Sequence, residues 1–130
     1  VIYGIGHDVL DMKRMDILMT GPHGEKFMER VLTQGERIIA ARKGAKRTEF
    51  VAGRFAAKEA ISKSFGCGIG RLIGFWDIEV LPNGLGKPIA TLSKEAWTRL
   101  GIDQPADYTI HLTISHQTEL ASAFAVVETL

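Results

Sequence analysis

Two spacings of apolar residues divide the chain. From Val1 to Val9 the period is two: Val1, Tyr3, Ile5, His7 and Val9 fall on one face, and Ile2, Gly4, Gly6 and Asp8 on the other, which predicts a strand. The spacing then becomes helical. One helix is predicted over Asp11 to Thr20, stopped by Gly21-Pro22, and a short one over Glu25 to Leu32. The capping-box sequence Thr33-Gln34-Gly35-Glu36 opens another, which runs to about Arg42 before Gly44 breaks it. A long alanine-rich helix begins at Phe50. Phe50, Ala57, Ile61 and Phe65 share one stripe, and Ala52, Phe55 and Ala56 lie roughly opposite. A helix apolar on two sides is expected to be largely buried. Strand spacing returns at Trp76 to Leu81 and at Ile89 to Leu92, joined by the turn-rich Pro82-Asn83-Gly84-Leu85-Gly86-Lys87-Pro88. Ser93 caps a helix that ends at Gly101, and the loop Asp103 to Asp107 contains Pro105. Tyr108 to His116 alternates cleanly, and Leu120 to Val127 pairs with it across Gln117-Thr118-Glu119. This order predicts an α+β fold over residues 1–130 as one domain, with a largely antiparallel sheet and helices packed on one face.

Composition narrows the function classes. Apolar residues make up 45% and charged residues 24%, ordinary for a globular protein, and the net charge of +1 implies no general nucleic-acid affinity. Electrostatic recognition therefore has to come from local patches. Cys67 is the only cysteine, so no internal disulfide forms, and no histidine near it in sequence would activate the thiol. No apolar run approaches the roughly 20 residues that span a bilayer, and no signal peptide is visible, so the expected compartment is the cytoplasm. Ser115 and His116 are adjacent on a strand and point to opposite faces, which excludes a hydrolytic dyad between them. His7, His23 and His111 lack zinc-ligand spacing, and no Walker-type phosphate loop occurs.

Candidate chemistry gathers around the long helix. Glu59 and Lys63 sit on its second apolar side, beside Ala52, Phe55 and Ala56. The plainest reading is an i, i+4 ion pair. The alternate glycines Gly66, Gly68 and Gly70 that follow, with Arg54, Lys58, Lys63 and Arg71 around them, instead suggest a backbone loop that approaches a phosphate. Asp8 ends the glycine-bearing face of the first strand. It either caps the next helix or presents a carboxylate beside an open space. Asp8 and Glu59 are oxygen ligands suited to Mg²⁺, but two carboxylates make a weak site unless substrate phosphate adds a third ligand. Lys63 then neutralises phosphate charge or passes a proton. Lys13 and Arg14 stand among Met12, Met15, Leu18 and Met19; such a stripe is either core or an adaptable protein-binding face. Lys43, Lys46 and Arg47 read as solvated surface.

Several runs resemble bacterial holo-acyl-carrier-protein synthases, the small primary type of 4′-phosphopantetheinyl transferase. They are Gly4-Ile5-Gly6-His7-Asp8, Lys13-Arg14, Phe27 with Glu29-Arg30-Val31-Leu32, Gly53-Arg54-Phe55-Ala56-Ala57-Lys58-Glu59-Ala60 with Lys63, and Gly66-Cys67-Gly68-Ile69-Gly70. Trp76-Asp77-Ile78-Glu79-Val80, Asn83-Gly84, Gly86-Lys87-Pro88 and Ile114-Ser115-His116 complete the match from end to end. The resemblance implies transfer of the phosphopantetheine arm of coenzyme A to a serine of apo-acyl carrier protein, with adenosine 3′,5′-bisphosphate as the other product, in support of fatty acid biosynthesis. It implies Mg²⁺ on Asp8 and Glu59, and catalytic roles for Glu59 and Lys63. Coenzyme A contacts are implied for Arg54, Lys58, Gly66, Gly68, Gly70, Lys87, Pro88, Ser115 and His116. Lys13, Arg14, Met15 and Leu18 are implied as the face for the acidic carrier protein. It further implies a homotrimer with active sites at subunit junctions; the strand face of Tyr108, Ile110, Leu112 and Ile114 is the apolar surface expected to be buried there. Thr20 to Gly24 is slightly long for the family. A non-catalytic coenzyme A-binding module is the alternative; it would keep the glycine loop without needing Asp8, Glu59 and Lys63 together.

Overall fold

A computed structural model describes residues 1–130. The first strand, β1 (Ile2–Asp11), leads into three helices: α1 (Met12–Thr20), α2 (Gly24–Val31) and α3 (Gln34–Ala40). The long helix α4 (Arg47–Ser64) follows. The hairpin β2 (Ile78–Pro82) and β3 (Pro88–Leu92), the helix α5 (Lys94–Arg99), and the strands β4 (Tyr108–His116) and β5 (Leu120–Thr129) complete the chain. The strands form two antiparallel sheets rather than one: β1-β5-β4, and the separate hairpin β2-β3. The last strand is therefore central, paired with β1 as well as with β4.

Local signals account for the helix ends. The Asp11 carboxylate accepts the Lys13 N–H and caps α1, so Asp8 is left free of a capping role. Thr33 and Glu36 form the reciprocal capping box of α3, and Ser93 accepts the Ala96 N–H to start α5. Trp76, expected in a strand, lies instead in a 3₁₀ turn (Phe75–Asp77) and donates its indole N–H to Glu29 O. The Asp77 carboxylate accepts the Gly74 N–H, and this bond closes the turn before β2 begins.

α4 organises both cores. Small residues let it lie directly on the sheet: a Cβ at Gly4 or Gly6 would collide with the carbonyl oxygens of Ser64 and Ala60. Ala121, Ala123, Ala125 and Val127 of β5 are buried on the same face. On this side Ala57, Ala60, Ile61 and Phe65 pack with Ile73, Ile78 and Val80. On the other side Phe50, Val51 and Ala52 pack with Met12, Met15, Met19, Met28, Val31 and Leu32 of the early helices. Burial on two sides was expected, but the division differs from the stripes: Phe50 packs with Ala52 against the early helices, and Ala56 packs with Ala57 on the sheet side.

One expectation is reversed. Tyr108, Ile110, Leu112 and Ile114 face inward, half-buried against the core, because β4 presents that face to α4 and β3. The uncovered apolar surface is the opposite face of the sheet. There Ile5 (59% exposed), Val9 (50%) and Phe124 (42%) stand with Val126 on neighbouring strands. No helix is long and apolar enough to cross a membrane.

Candidate active site

Asp8 shares the inward face of β1 with Gly4 and Gly6. Where the glycines end, a carboxylate emerges beside α4. Lys63 Nζ donates to Asp8 Oδ1 and to His7 O, both at 3.2 Å. Glu59, one turn earlier on α4, lies close enough to Asp8 to feel its charge. Burial pushes the Glu59 carboxyl above its ordinary range, the negative charge of Asp8 adds to the push, and Lys63 opposes it. The cluster thus holds two carboxylates and one ammonium, short of positive charge. No group of three His, Cys, Asp or Glu side chains is available to enclose an ion. This donor set fits a hard divalent cation held by two carboxylates and completed by water and phosphate oxygens.

The glycine loop begins where α4 ends. Gly66 and Gly68 take φ of +81° and +68°, in the left-handed region that favours glycine. Ser62 O accepts the N–H groups of Cys67 and Gly68. The space beside Gly66, Gly68 and Gly70 is open: a Cβ at any of them would meet no atom within 4 Å. The backbone N–H groups of Ile69, Arg71 and Leu72 find no backbone acceptor. Free N–H groups on an open loop a few residues after Lys63 leave backbone donors available to an anion.

Two predicted coenzyme contacts are engaged inside the fold, and for Lys58 this overturns the expectation. Lys58 is fully buried. Its ammonium donates to Glu36 Oε1 at 2.6 Å, Val31 O at 2.7 Å and Phe75 O at 3.0 Å, which uses all three N–H groups. Burial pulls the Lys58 ammonium below its ordinary range, and Glu36 opposes that shift. Arg54 is also turned inward: Nε donates to Val80 O at 3.2 Å and the guanidinium lies 4.3 Å from the centre of the Phe50 ring. Lys58 ties α4 to α2, α3 and the Phe75 turn and has no N–H left for a phosphate, whereas Arg54 is tied to β2 through Nε alone. Glu36, which also accepts the Val80 N–H, went unrecognised as the buried partner because its visible signal was the capping box.

The remaining expected contacts lie apart from Asp8. His116 leans over Gly53, where a Cβ would stand 2.7 Å from Nε2, and its Nδ1 is 3.7 Å from Glu49 Oε1. Ser115 is exposed on the opposite face. β5 lies between β4 and β1, so two strand spacings, about 10 Å, separate these residues from the first strand. Lys87 is exposed at the hairpin turn, where Asn83 Oδ1 accepts its N–H and that of Leu85, and Pro88 opens β3.

On the other flank, Arg14, Met15 and Leu18 line a groove of about 630 Å³ with Val9, Phe27 and Phe55. Met15 is buried at its floor, while Arg14 and Leu18 form its edge. Lys13 points away, into a more polar hollow beside Asp11, Asp16 and Glu119. Phe27 and Phe55 have ring centroids 5.7 Å apart; the sequence marks Phe55 only as part of an apolar stripe and Phe27 only through the family resemblance. Phe55 lies one turn before Glu59 on the same side of α4, so the groove runs toward the carboxylates, while Val9 points to the opposite face of β1 from Asp8.

The profile of the 4′-phosphopantetheinyl transferase superfamily (ACPS) matches residues 4–124. A holo-[acyl-carrier-protein] synthase of Bacillus cereus is 47% identical over 131 aligned residues, covering 100% of this chain and 98% of the relative. Among solved structures, a holo-(acyl-carrier-protein) synthase of Bacillus anthracis in complex with CoA (3′,5′-ADP) superposes with a TM-score of 0.82 at 44% identity, covering 99% of this chain and 98% of that one. The Neisseria meningitidis synthase gives a TM-score of 0.87 at 32% identity, over 99% of this chain and 100% of its own. The chain therefore belongs to the 4′-phosphopantetheinyl transferase superfamily, among its holo-[acyl-carrier-protein] synthases.

Proposed function

We propose that this chain, acting as one transferase domain, moves 4′-phosphopantetheine from coenzyme A to a serine of apo-acyl carrier protein and releases adenosine 3′,5′-bisphosphate. The observation that carries this reading is the meeting of Asp8, Glu59 and Lys63 beside a loop with free N–H groups. A module that only bound the coenzyme would have no use for that convergence. Asp8 and Glu59 are the residues that would hold Mg²⁺; when bound, the ion supplies charge neutralisation at the pyrophosphate. Lys63, half exposed, is free to reach a phosphate oxygen and to stabilise the bisphosphate as the phosphorus–oxygen bond breaks. Glu59, one turn before Lys63 and beside Asp8, stands where the serine of the carrier would approach and is the candidate acceptor of its proton. The nucleophile comes from the carrier, which accounts for the lack of a serine dyad in the chain.

The groove edged by Arg14 and Leu18 and lined by Met15, Phe27 and Phe55 offers an apolar seat for the carrier, with the Arg14 cation at its rim and Asp11 beside it. A homotrimer is the assembly we favour. Its support is the uncovered apolar sheet face of Ile5, Val9 and Phe124, and the separation of Ser115, His116, Lys87 and Pro88 from Asp8 within one chain. A neighbour would bring the second group to the first. We place the enzyme in the cytoplasm, supplying holo-carrier for fatty acid synthesis. Incubation with apo-acyl carrier protein, coenzyme A and Mg²⁺, read by intact mass, tests the function. A phosphopantetheine increment on the carrier is expected; no increment on several apo-carriers would favour the binding module.

A further inference from the structure

The glycine loop has few backbone bonds of its own. Its entry is tied to the last turn of α4, and beyond that point one backbone hydrogen bond, Gly70 N–H to Ile73 O at 2.9 Å, shapes it. Its exit is held by side chains. Asp77 Oδ2 accepts the Gly74 N–H at 2.7 Å and Arg99 Nη2 at 2.6 Å, while Oδ1 accepts the Ser93 hydroxyl at 2.6 Å. Arg99 Nε donates to Leu72 O at 3.0 Å. One guanidinium thus grips the loop twice, directly at Leu72 and through Asp77 at Gly74. The ring closes around Ile73, which is fully buried. The free N–H groups of Ile69, Arg71 and Leu72 lie at or just before this ring.

We propose that Asp77 and Arg99 are positioning residues for the coenzyme: they set the curvature of the Gly66–Gly74 loop from α5, and so aim its free N–H groups at the coenzyme phosphates without touching the ligand themselves. The inference rests on the transferase reading above. α5 does not need Arg99 for its own sake, since Ser93 caps its start and Ala96 and Trp97 pack it on the core. The contacts are charge-assisted and partly shielded, with Asp77 19% and Arg99 39% exposed, so they hold more firmly than an open surface pair.

The test uses the full chain with Arg99→Gln and Asp77→Asn, and Met19→Ala as a core variant that destabilises the fold in the other apolar cluster, which the loop residues Ile69, Leu72 and Ile73 do not share. Coenzyme A affinity is measured by calorimetry with Mg²⁺, transfer by separate KM values for coenzyme and carrier, and loop order by amide hydrogen exchange. Both clamp variants are expected to raise the coenzyme Kd and KM by about 5- to 30-fold, the effect of losing one or two such bonds. The carrier KM should stay within about twofold, since the carrier groove makes no use of the clamp. Exchange from Gly66 to Gly74 should speed up relative to the rest of the chain, while Met19→Ala leaves coenzyme affinity, both KM values and the loop's relative protection unchanged. Unaltered exchange in the clamp variants would overturn the proposal even if the chain proved not to be a transferase. Equal weakening of coenzyme binding in Met19→Ala would overturn it as well, by reducing the effect to general stability.

Discussion

At Glu59 function and stability oppose each other. Its carboxyl is raised above the ordinary 4.5 by burial first and by Asp8 second. The folded chain therefore holds a proton that the unfolded chain releases, and stability falls as pH rises through and above that value. Glu59→Gln removes this penalty. In the metal-free protein it should raise Tm at pH 7 to 8, with the gain vanishing near pH 4, while transfer falls by about 10²–10³-fold. Thermal scans over pH, paired with the transfer assay, check both halves; an unchanged pH profile of Tm would contradict the electrostatic account. Lys58, one residue earlier, behaves differently. Lys58→Met leaves Glu36 charged in the core and should cost about 3–5 kcal/mol, much of which Glu36→Gln/Lys58→Met should restore. Urea unfolding of the two variants measures this. The sequence made Glu59 legible because a charge among alanines and Phe55 conflicts with its surroundings. Lys58 was misread because the direction of its side chain depends on α3 and on the Phe75 turn, which sequence spacing does not reveal.

Among the elements, strands and helices follow the two periodicities closely, and tertiary contacts decide the rest. β1 was legible as a strand, and its glycines as a tight face, yet only packing shows that the partner of that face is the α4 backbone at Ala60 and Ser64. Trp76 left its predicted strand because Asp77 spends its carboxylate on Gly74, Ser93 and Arg99, contacts made across the fold. α1 reads both ways, as core and as docking face: Met12, Met15 and Met19 are buried, while Arg14 stands at the rim of the groove. A charge reversal there acts mainly on encounter. Arg14→Glu should raise the carrier KM by about tenfold at low salt, with the difference shrinking as salt increases, and should leave coenzyme affinity unchanged. Steady-state kinetics over a salt series checks it, and equal weakening toward both substrates would remove Arg14 from the docking surface.

For the molecule as a whole, the α+β class was legible, but the division into two sheets was not, because alternation says which residues share a face and not which strands pair. The same gap reversed the expected interface. The pattern of β4 marks Tyr108, Ile110, Leu112 and Ile114 as one apolar face, and only the position of α4 shows that this face is already covered. With Ile5, Val9 and Phe124 uncovered instead, Ile5→Glu should dissociate the assembly, because it sets a charge on a surface that association would dehydrate, away from the carrier groove. Sedimentation is expected to give a trimer for the native chain and a monomer for the variant; a fully active native monomer would refute the shared-site arrangement. The central claim is the transfer itself. The most direct measurement is the intact mass of apo-acyl carrier protein after incubation with coenzyme A and Mg²⁺, with adenosine 3′,5′-bisphosphate counted in the same tube and Asp8→Ala run beside the native chain. The account predicts one phosphopantetheine per carrier serine, one bisphosphate released for each, and almost none of either with Asp8→Ala. An unmodified carrier, or full modification by Asp8→Ala, would contradict it.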